Sequence, residues 1–285
     1  MIPVGFTYER PDTLDAALAL LAEHGDDAKV LAGGHSLLPV MKLRLAAPEL
    51  LIDIGRLDEL RYSRVDGDQL AIGAGTRHHD LATSDVVEAE APLLGAVART
   101  VGDPQVRHRG TLGGSLVHAD PASDLPAAVL AFGGAVVLRG PRGERRVPVT
   151  EFFTGLFETA VEPDELLVEI RVPGTGGVGG ASAEKSASAA AGWAYEKFTR
   201  RANDWAIVAI AVVDGRVGMV NMGSTALRAS ATEAALASGA SIPDAAALAD
   251  QDTDPPSDLA ATPAYRRHLA RVLTRRALTT AAEAG

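Results

Sequence analysis

Two segments of the chain set adjacent glycines beside hydroxyl side chains: Ala32-Gly33-Gly34-His35-Ser36 and Thr111-Leu112-Gly113-Gly114-Ser115. Bare backbone exposes main-chain N–H groups and a neighbouring hydroxyl adds a donor, an arrangement suited to a phosphate or diphosphate. The alternative for each segment is a tight turn with no ligand, where glycine serves a positive φ or the close approach of other chain. The dipeptide alone selects nothing, because it occurs at 33/34, 113/114, 133/134, 176/177 and 179/180. The pair at 133 joins a helical pattern to a strand pattern, where a glycine C-cap is sufficient. The last two pairs lie in a stretch built from Gly, Ser and Ala.

Other reactive side chains match known chemistries less well. His118-Ala-Asp120 with Asp124 sketches a metal site, and His35-Ser36 half of a hydrolase triad, yet neither has the spacing of a zinc or nucleophile-elbow signature. "GAGTRHH" from Gly73 opens like a dinucleotide fingerprint but lacks the third glycine, and no glycine-rich loop ends in Gly-Lys-Ser/Thr. His78-His79 reads as a pair at the start of a helix with no special chemistry. Trp193, Tyr195 and Trp205 surround two strand patterns, where aromatic residues are ordinarily core.

Composition removes further classes. The 285 residues contain no cysteine, which excludes disulfides, thiol nucleophiles and any iron–sulfur cluster held by this chain. A formal charge of −10 disfavours a nucleic-acid surface. With no leader-like start and no apolar run of membrane-spanning length, the expectation is a cytoplasmic protein.

The elements that must position the glycine segments follow the hydrophobic pattern. "LDAALALLAEH" reads as a helix capped by Asp12 or Thr13 and ended by Gly25. "AKVLAGG" and "ELLIDI" read as strands of a strand–crossover–strand unit. "LRYSRVDGDQLAIGAG" is a hairpin turning at Asp66-Gly67, and "GAVVLRGPRGERRVPV" another turning between Gly140 and Gly143. Helical pattern fills 76–102 and follows the second glycine segment, and "DELLVEIRVP" is a further strand. Beyond it, "GWAYEKFTRR" and "WAIVAIAVVDGRVGMVNMG" suggest a three-stranded antiparallel sheet, and the C-terminal segment is helical. The fold class is α+β, divided as 1–56, 57–173, a Gly/Ser/Ala-rich loop at 174–191, and a C-terminal unit at 192–285.

Together, "AGGHSLLPVMKLRLAAPELLIDI" and "DPQVRHRGTLGGSLVHADPASDLPA" resemble the FAD-binding medium subunits of molybdenum hydroxylases (the xanthine dehydrogenase family), closest to its aerobic carbon monoxide dehydrogenase branch. The likeness extends through "EPDELLVEIRVP" and "YEKFTRR" to the C-terminal helix. It implies two FAD-binding subdomains of the vanillyl-alcohol-oxidase type and a C-terminal domain of three strands and helices. It also implies that the diphosphate and ribityl chain of FAD are wrapped by Lys29, Val30, Leu31, Ala32, Gly33, Gly34, His35, Ser36 and Leu37, with Thr111, Gly113, Gly114 and Ser115 closing the other side. Asp120 and Asp124 are implied as cofactor-binding acids, Asp124 bonding an FAD hydroxyl; Leu167 lies near the adenine or the ring edge, and Tyr195 near the isoalloxazine.

In that family a large subunit oxidises the substrate at a molybdenum cofactor and a small subunit carries two [2Fe–2S] clusters that feed the flavin. The missing cysteines agree with such a division. The resemblance thus implies an electron-transfer subunit, in a dimer of heterotrimers, that delivers electrons to an external acceptor such as a quinone or a carrier. It places the complex in the cytoplasm, reaching the inner membrane face through its partners. The medium subunit of a xanthine, aldehyde or N-heterocycle dehydrogenase, and a stand-alone FAD oxidoreductase, are the alternatives on the same fold.

Overall fold

The computed structural model describes residues 2–174 and 192–284, so the loop expected at 174–191 lies, from residue 175 on, outside the described residues. The N-terminal unit is a three-stranded parallel sheet of β1 (Thr7–Glu9), β2 (Ala28–Leu31) and β3 (Leu50–Asp53) in the order β1-β3-β2. Helix α1 (Leu14–His24) starts where Thr13 accepts a hydrogen bond from the Ala16 amide at 3.2 Å and stops at Gly25, whose φ is +50°. Leu14, Ala17, Leu18 and Leu21 form its buried face against β3, at helical spacing. Helix α2 (Leu37–Lys42) crosses from β2 to β3. The strands are parallel, so the loops leaving their C-terminal ends gather along one edge.

The second unit is a five-stranded antiparallel sheet. Strands β4 (Ser63–Asp66) and β5 (Gln69–Gly73) form the Asp66-Gly67 hairpin, with Gly67 at φ +64°. Six helices follow: α3 (His78–Thr83), α4 (Asp85–Glu90), α5 (Pro92–Arg99), α6 (Pro104–Arg107), α7 (Leu112–His118) and α8 (Asp124–Phe132). After Gly133, at φ +68°, the chain forms β6 (Ala135–Gly140) and β7 (Gly143–Pro148), a short helix α9 (Val149–Phe152), the small hairpin β8 (Phe153–Gly155) and β9 (Glu158–Thr159), and β10 (Leu166–Pro173). The sheet order is β4-β5-β10-β6-β7. All nine residues of α8 are buried, because the helix is covered on one side by α5 and on another by the C-terminal sheet.

That sheet comprises β11 (Trp193–Phe198), β12 (Val208–Val213), β13 (Arg216–Val220) and a two-residue fourth strand, β14 (Leu227–Arg228), beside the three expected. Helices α10 (Ser230–Ala237), α11 (Ile242–Ala246) and α12 (Pro263–Ala284) belong to the same unit. Every residue of β12 is buried. Arg266 of α12, fully buried, donates to the carbonyls of Pro256 and Ile207 and pairs with Asp258, which ties α12 to the segment before β12. Trp205, expected in a core, is 59% exposed, because it precedes β12 in irregular backbone. No helix among the described residues is long and apolar enough to cross a membrane.

Candidate functional site

The first glycine segment leaves β2 at the sheet edge and turns into α2. Its two glycines answer different needs. Gly34 has φ +78°, a conformation that a side chain strains. Gly33 has no Cβ because one would strike the Arg109 carbonyl oxygen and lie 2.9 Å from both the Arg109 carbonyl carbon and the Gly110 Cα. The carbonyls of Gly34 and Ser36 accept from the amides of Leu38 and Val40 at 3.0 and 3.4 Å. The amides of Gly33, Gly34, His35 and Ser36, in contrast, donate to no acceptor among the described residues. The Ser36 hydroxyl makes no capping bond either. Four successive free N–H groups and a free hydroxyl are a cradle for anionic oxygen.

The second segment corrects the sequence-based reading. Four of its five amides are committed: Leu112 to the Thr76 carbonyl and Gly113 to the Ala74 carbonyl, both at 2.9 Å, Gly114 to Thr111 Oγ1 at 3.1 Å, and Ser115 to the Thr111 carbonyl at 3.0 Å. Thr111 is thus the N-cap of α7. A Cβ on Gly113 would lie 2.6 Å from Ala74 Cβ, and one on Gly114 would meet Thr111 Oγ1 at 2.7 Å with Ala32 Cβ next, at 4.0 Å. Thr111-Ser115 is therefore a bare wall locked to the end of β5 and facing Ala32. The amides of its two glycines are used within the protein, and the Ser115 hydroxyl is left without a partner among the described residues.

His78 helps to wedge the two loops together. Its amide donates to the Gly110 carbonyl at 3.0 Å, and a Cβ on Gly110 would lie 2.7 Å from the imidazole Cδ2. The ring is 5% exposed, its Nδ1 has no partner, and burial holds its pKa down at about 4, helped by the charges of His35 and Arg107. His78 is a neutral structural group.

A polar cluster follows at the start of α8. Asp124, almost fully buried, accepts from the Tyr195 hydroxyl at 2.6 Å and from Lys197 Nζ at 2.7 Å, and Lys197 also donates to the Thr100 carbonyl at 3.2 Å. Burial pushes the Asp124 carboxyl up while Lys197 and Tyr195 hold it down; burial, then Asp124, raises the Tyr195 phenol well above its ordinary value. Lys197 was missed in the sequence. It stands two residues after Tyr195 in β11, a spacing that puts both on one face of a strand.

The remaining expected residues are more dispersed. Asp120 Oδ1 accepts from the Ala122 amide at 2.9 Å, fixing the turn before α8. Leu167 is buried in β10 opposite Leu138. Lys29 is exposed on the edge strand, with Val30, Leu31 and Leu37 partly exposed. Ser115 is partly buried beside the exposed Gly114. His118, Asp120 and Asp124 do not gather: no three His, Asp or Glu side chains are placed to share a metal ion among the described residues.

Known proteins share this arrangement over its whole length. Residues 4–175 match the family of FAD-binding domains in molybdopterin dehydrogenases, and residues 193–281 match the CO dehydrogenase flavoprotein C-terminal domain. The carbon monoxide dehydrogenase medium chain of Hydrogenophaga pseudoflava is 42% identical, over 99% of this chain and 98% of that one. The glyceraldehyde dehydrogenase medium chain of Sulfolobus acidocaldarius is 34% identical, over 97% and 98%. A crystal structure of the Hydrogenophaga pseudoflava carbon monoxide dehydrogenase, lacking the Mo-pyranopterin moiety, superposes with a TM-score of 0.92 at 44% identity, covering 99% of both chains. The chain belongs to the FAD-binding family of molybdopterin dehydrogenases, in the form that carries a CO dehydrogenase flavoprotein C-terminal domain.

Proposed function

We propose that this chain is the FAD-carrying electron-transfer subunit of a molybdenum hydroxylase of the carbon monoxide dehydrogenase type, which converts CO and water to CO2. The observation that carries the site is the run of four free amides at Gly33–Ser36 opposite the bare Gly114 wall. A diphosphate fits such a pair of loops, because it needs donors on one side and only close, side-chain-free backbone on the other. In this reading FAD lies between the units 1–56 and 57–173. Gly33, Gly34, His35 and Ser36 hold its diphosphate through backbone N–H groups, and Ser36 adds its hydroxyl. Lys29 to Leu31, on the edge strand β2, lead into this wrap around the diphosphate and ribityl chain.

The Asp124–Lys197–Tyr195 cluster supplies the fixed charges of the ring end, with Leu167 and Asp120 in the walls around it. Lys197 Nζ and the Tyr195 hydroxyl both donate hydrogen bonds to the Asp124 carboxyl, so the cluster is preorganised. When bound, a flavin can take up one or two electrons, which suits it to link single-electron clusters to a two-electron acceptor. The chain itself has no cysteine to hold such clusters. They belong to a small [2Fe–2S] subunit, and the substrate to a large subunit with the molybdenum cofactor. A dimer of heterotrimers in the cytoplasm, delivering electrons to a quinone or a carrier at the inner membrane face, completes the reading.

The test is flavin reduction. The isolated full chain, loaded with FAD, should keep an oxidised flavin spectrum under CO and bleach only when the molybdenum and iron–sulfur subunits are added. Bleaching by substrate without partners would replace this reading with a self-sufficient oxidoreductase. Full-length similarity to a glyceraldehyde dehydrogenase chain favours one second reading, in which the complex oxidises an aldehyde. An assembled complex that turns over glyceraldehyde and not CO would establish it.

A further inference from the structure

Beside the glycine loops lies a second polar feature that the FAD-subunit reading does not use. A basin of about 290 Å³ is lined by Tyr8, Arg10, Asp53, Gly55, Arg56, Arg77 and Arg109. Its arginines come from four separate segments, after β1, after β3, before α3 and before the second glycine segment. None of these four guanidinium groups has a hydrogen bond or an ion pair among the described residues, whereas most other arginines of the chain do. The single carboxylate in the wall is already engaged. Asp53 accepts from the Tyr8 hydroxyl at 2.5 Å and from the Gly55 amide at 2.8 Å. Arg61 fixes the same turn by donating to the Gly55 carbonyl.

Four unpaired guanidiniums repel one another, and in a chain of net charge −10 there is no general excess of cations to account for them. Arg10, Arg56 and Arg109 are exposed, so solvent screens that repulsion, and an anion in the basin would offset it further. The guanidinium fork matches phosphate oxygens two at a time. The basin's volume is near the lower limit, about 300 Å³, of pockets that enclose small organic ligands. Tyr8, 49% exposed, offers an aromatic face at its wall. A narrow cleft shares Gly55, Arg77 and Arg109 with the basin and is lined further by Ala32 and Thr111, the first residues of the two glycine segments.

We propose that this basin binds a nucleotide-sized, phosphate-bearing anion through Arg10, Arg56, Arg77 and Arg109. Two sources share that chemistry: the phosphates of the chain's own FAD reaching past the first glycine loop, or a free phosphate ligand bound beside it. The probe is inorganic pyrophosphate, titrated calorimetrically into the FAD-free full chain. A saturable component is expected beyond any binding at the Gly33–Ser36 amides, and it should weaken about tenfold or more in the double variant Arg10→Gln/Arg56→Gln. Arg77→Gln/Arg109→Gln should do the same from the opposite wall. Arg275→Gln/Arg276→Gln, an equal charge change on exposed parts of α12, should leave binding as it was.

Repeating the titration on FAD-saturated protein separates the sources. Loss of the component that the basin arginines control assigns the basin to FAD; its retention assigns it to a free ligand. No saturable binding, unchanged binding in both basin variants, equal weakening in the α12 variant, or citrate binding as tightly as pyrophosphate would each overturn the proposal. FAD content read from the flavin spectrum is a separate observable, so failure of the basin leaves the FAD-subunit reading standing.

Discussion

The two glycine loops look alike in sequence and do opposite work. In Ala32–Ser36 the amides of Gly33 to Ser36 find no acceptor among the described residues, the Ser36 hydroxyl makes no capping bond, and Gly33 is fixed by contact with Arg109 and Gly110. In Thr111–Ser115 every amide after Thr111 has an acceptor, and Gly113 lets α7 press on Ala74. Satisfied donors stabilise a fold and cannot grip a ligand; unsatisfied ones do the reverse. A clamp thus needs one loop of each kind, a rigid wall to set the gap and an open loop to fill it with hydrogen-bond donors.

The largest effect expected from this asymmetry is at its two contact glycines. Gly113→Ala forces a methyl group against Ala74 inside the second unit, at an overpacking cost of about 3 kcal/mol, and should lower the denaturant midpoint with FAD present or absent. Gly33→Ala pushes the open loop off Arg109 and Gly110, which lie in the neighbouring unit's loop. It should cut FAD affinity about tenfold or more while unfolding of the FAD-free chain stays closer to wild type. Flavin spectra and urea midpoints of both variants measure this. Equal losses of stability without FAD would mean that the loops are one structural unit.

The hinge between the loops gives a pH test of intermediate size. His78 has a folded pKa of about 4 against an ordinary 6.5, so the unfolded chain binds the extra proton between those values and stability falls as pH drops from about 6.5 toward 4. By linkage the loss is about 2 kcal/mol at pH 5. His78→Gln should flatten that part of the pH profile of urea unfolding. A profile as steep in the variant as in the wild type would show that His78 is not what the acid limb titrates.

What the sequence disclosed and what it hid divide along the same line, between local and distant partners. The start and end of α1 are written in Thr13 and Gly25, and the hairpins in Asp66-Gly67 and Asp214-Gly215, because a cap or a turn is decided within a few residues. The glycine pairs were equally visible. Their opposite roles were not, since the acceptors that occupy the second loop, Ala74 and Thr76, come from the end of another hairpin. The same holds for β1, three exposed residues that are a strand only because β3 pairs with them, and for the four basin arginines, which no local pattern connects. Lys197 lies between these cases. Its strand spacing from Tyr195 was legible, but its ion pair with Asp124 depends on how α8 meets the C-terminal sheet.

The smallest expected effect is the sharpest comparison, because it exchanges one hydroxyl for hydrogen in each loop. Thr111→Ala removes the cap of α7 and frees the Gly114 amide, so stability should fall by about 1 kcal/mol, the usual value of an N-cap. FAD affinity should change little, since the bare backbone at Gly113 and Gly114 that sets the gap is kept. Ser36→Ala removes a hydroxyl with no partner among the described residues, so the stability of the FAD-free chain should stay within about 0.5 kcal/mol of wild type. Its cost should fall on FAD affinity, by about fivefold for one lost hydrogen bond of roughly 1 kcal/mol. The two substitutions would then separate stability from binding in opposite directions. If Ser36→Ala destabilised the FAD-free chain as much as Thr111→Ala does, the first loop would be a second structural cap, and the division of labour between the loops would be lost.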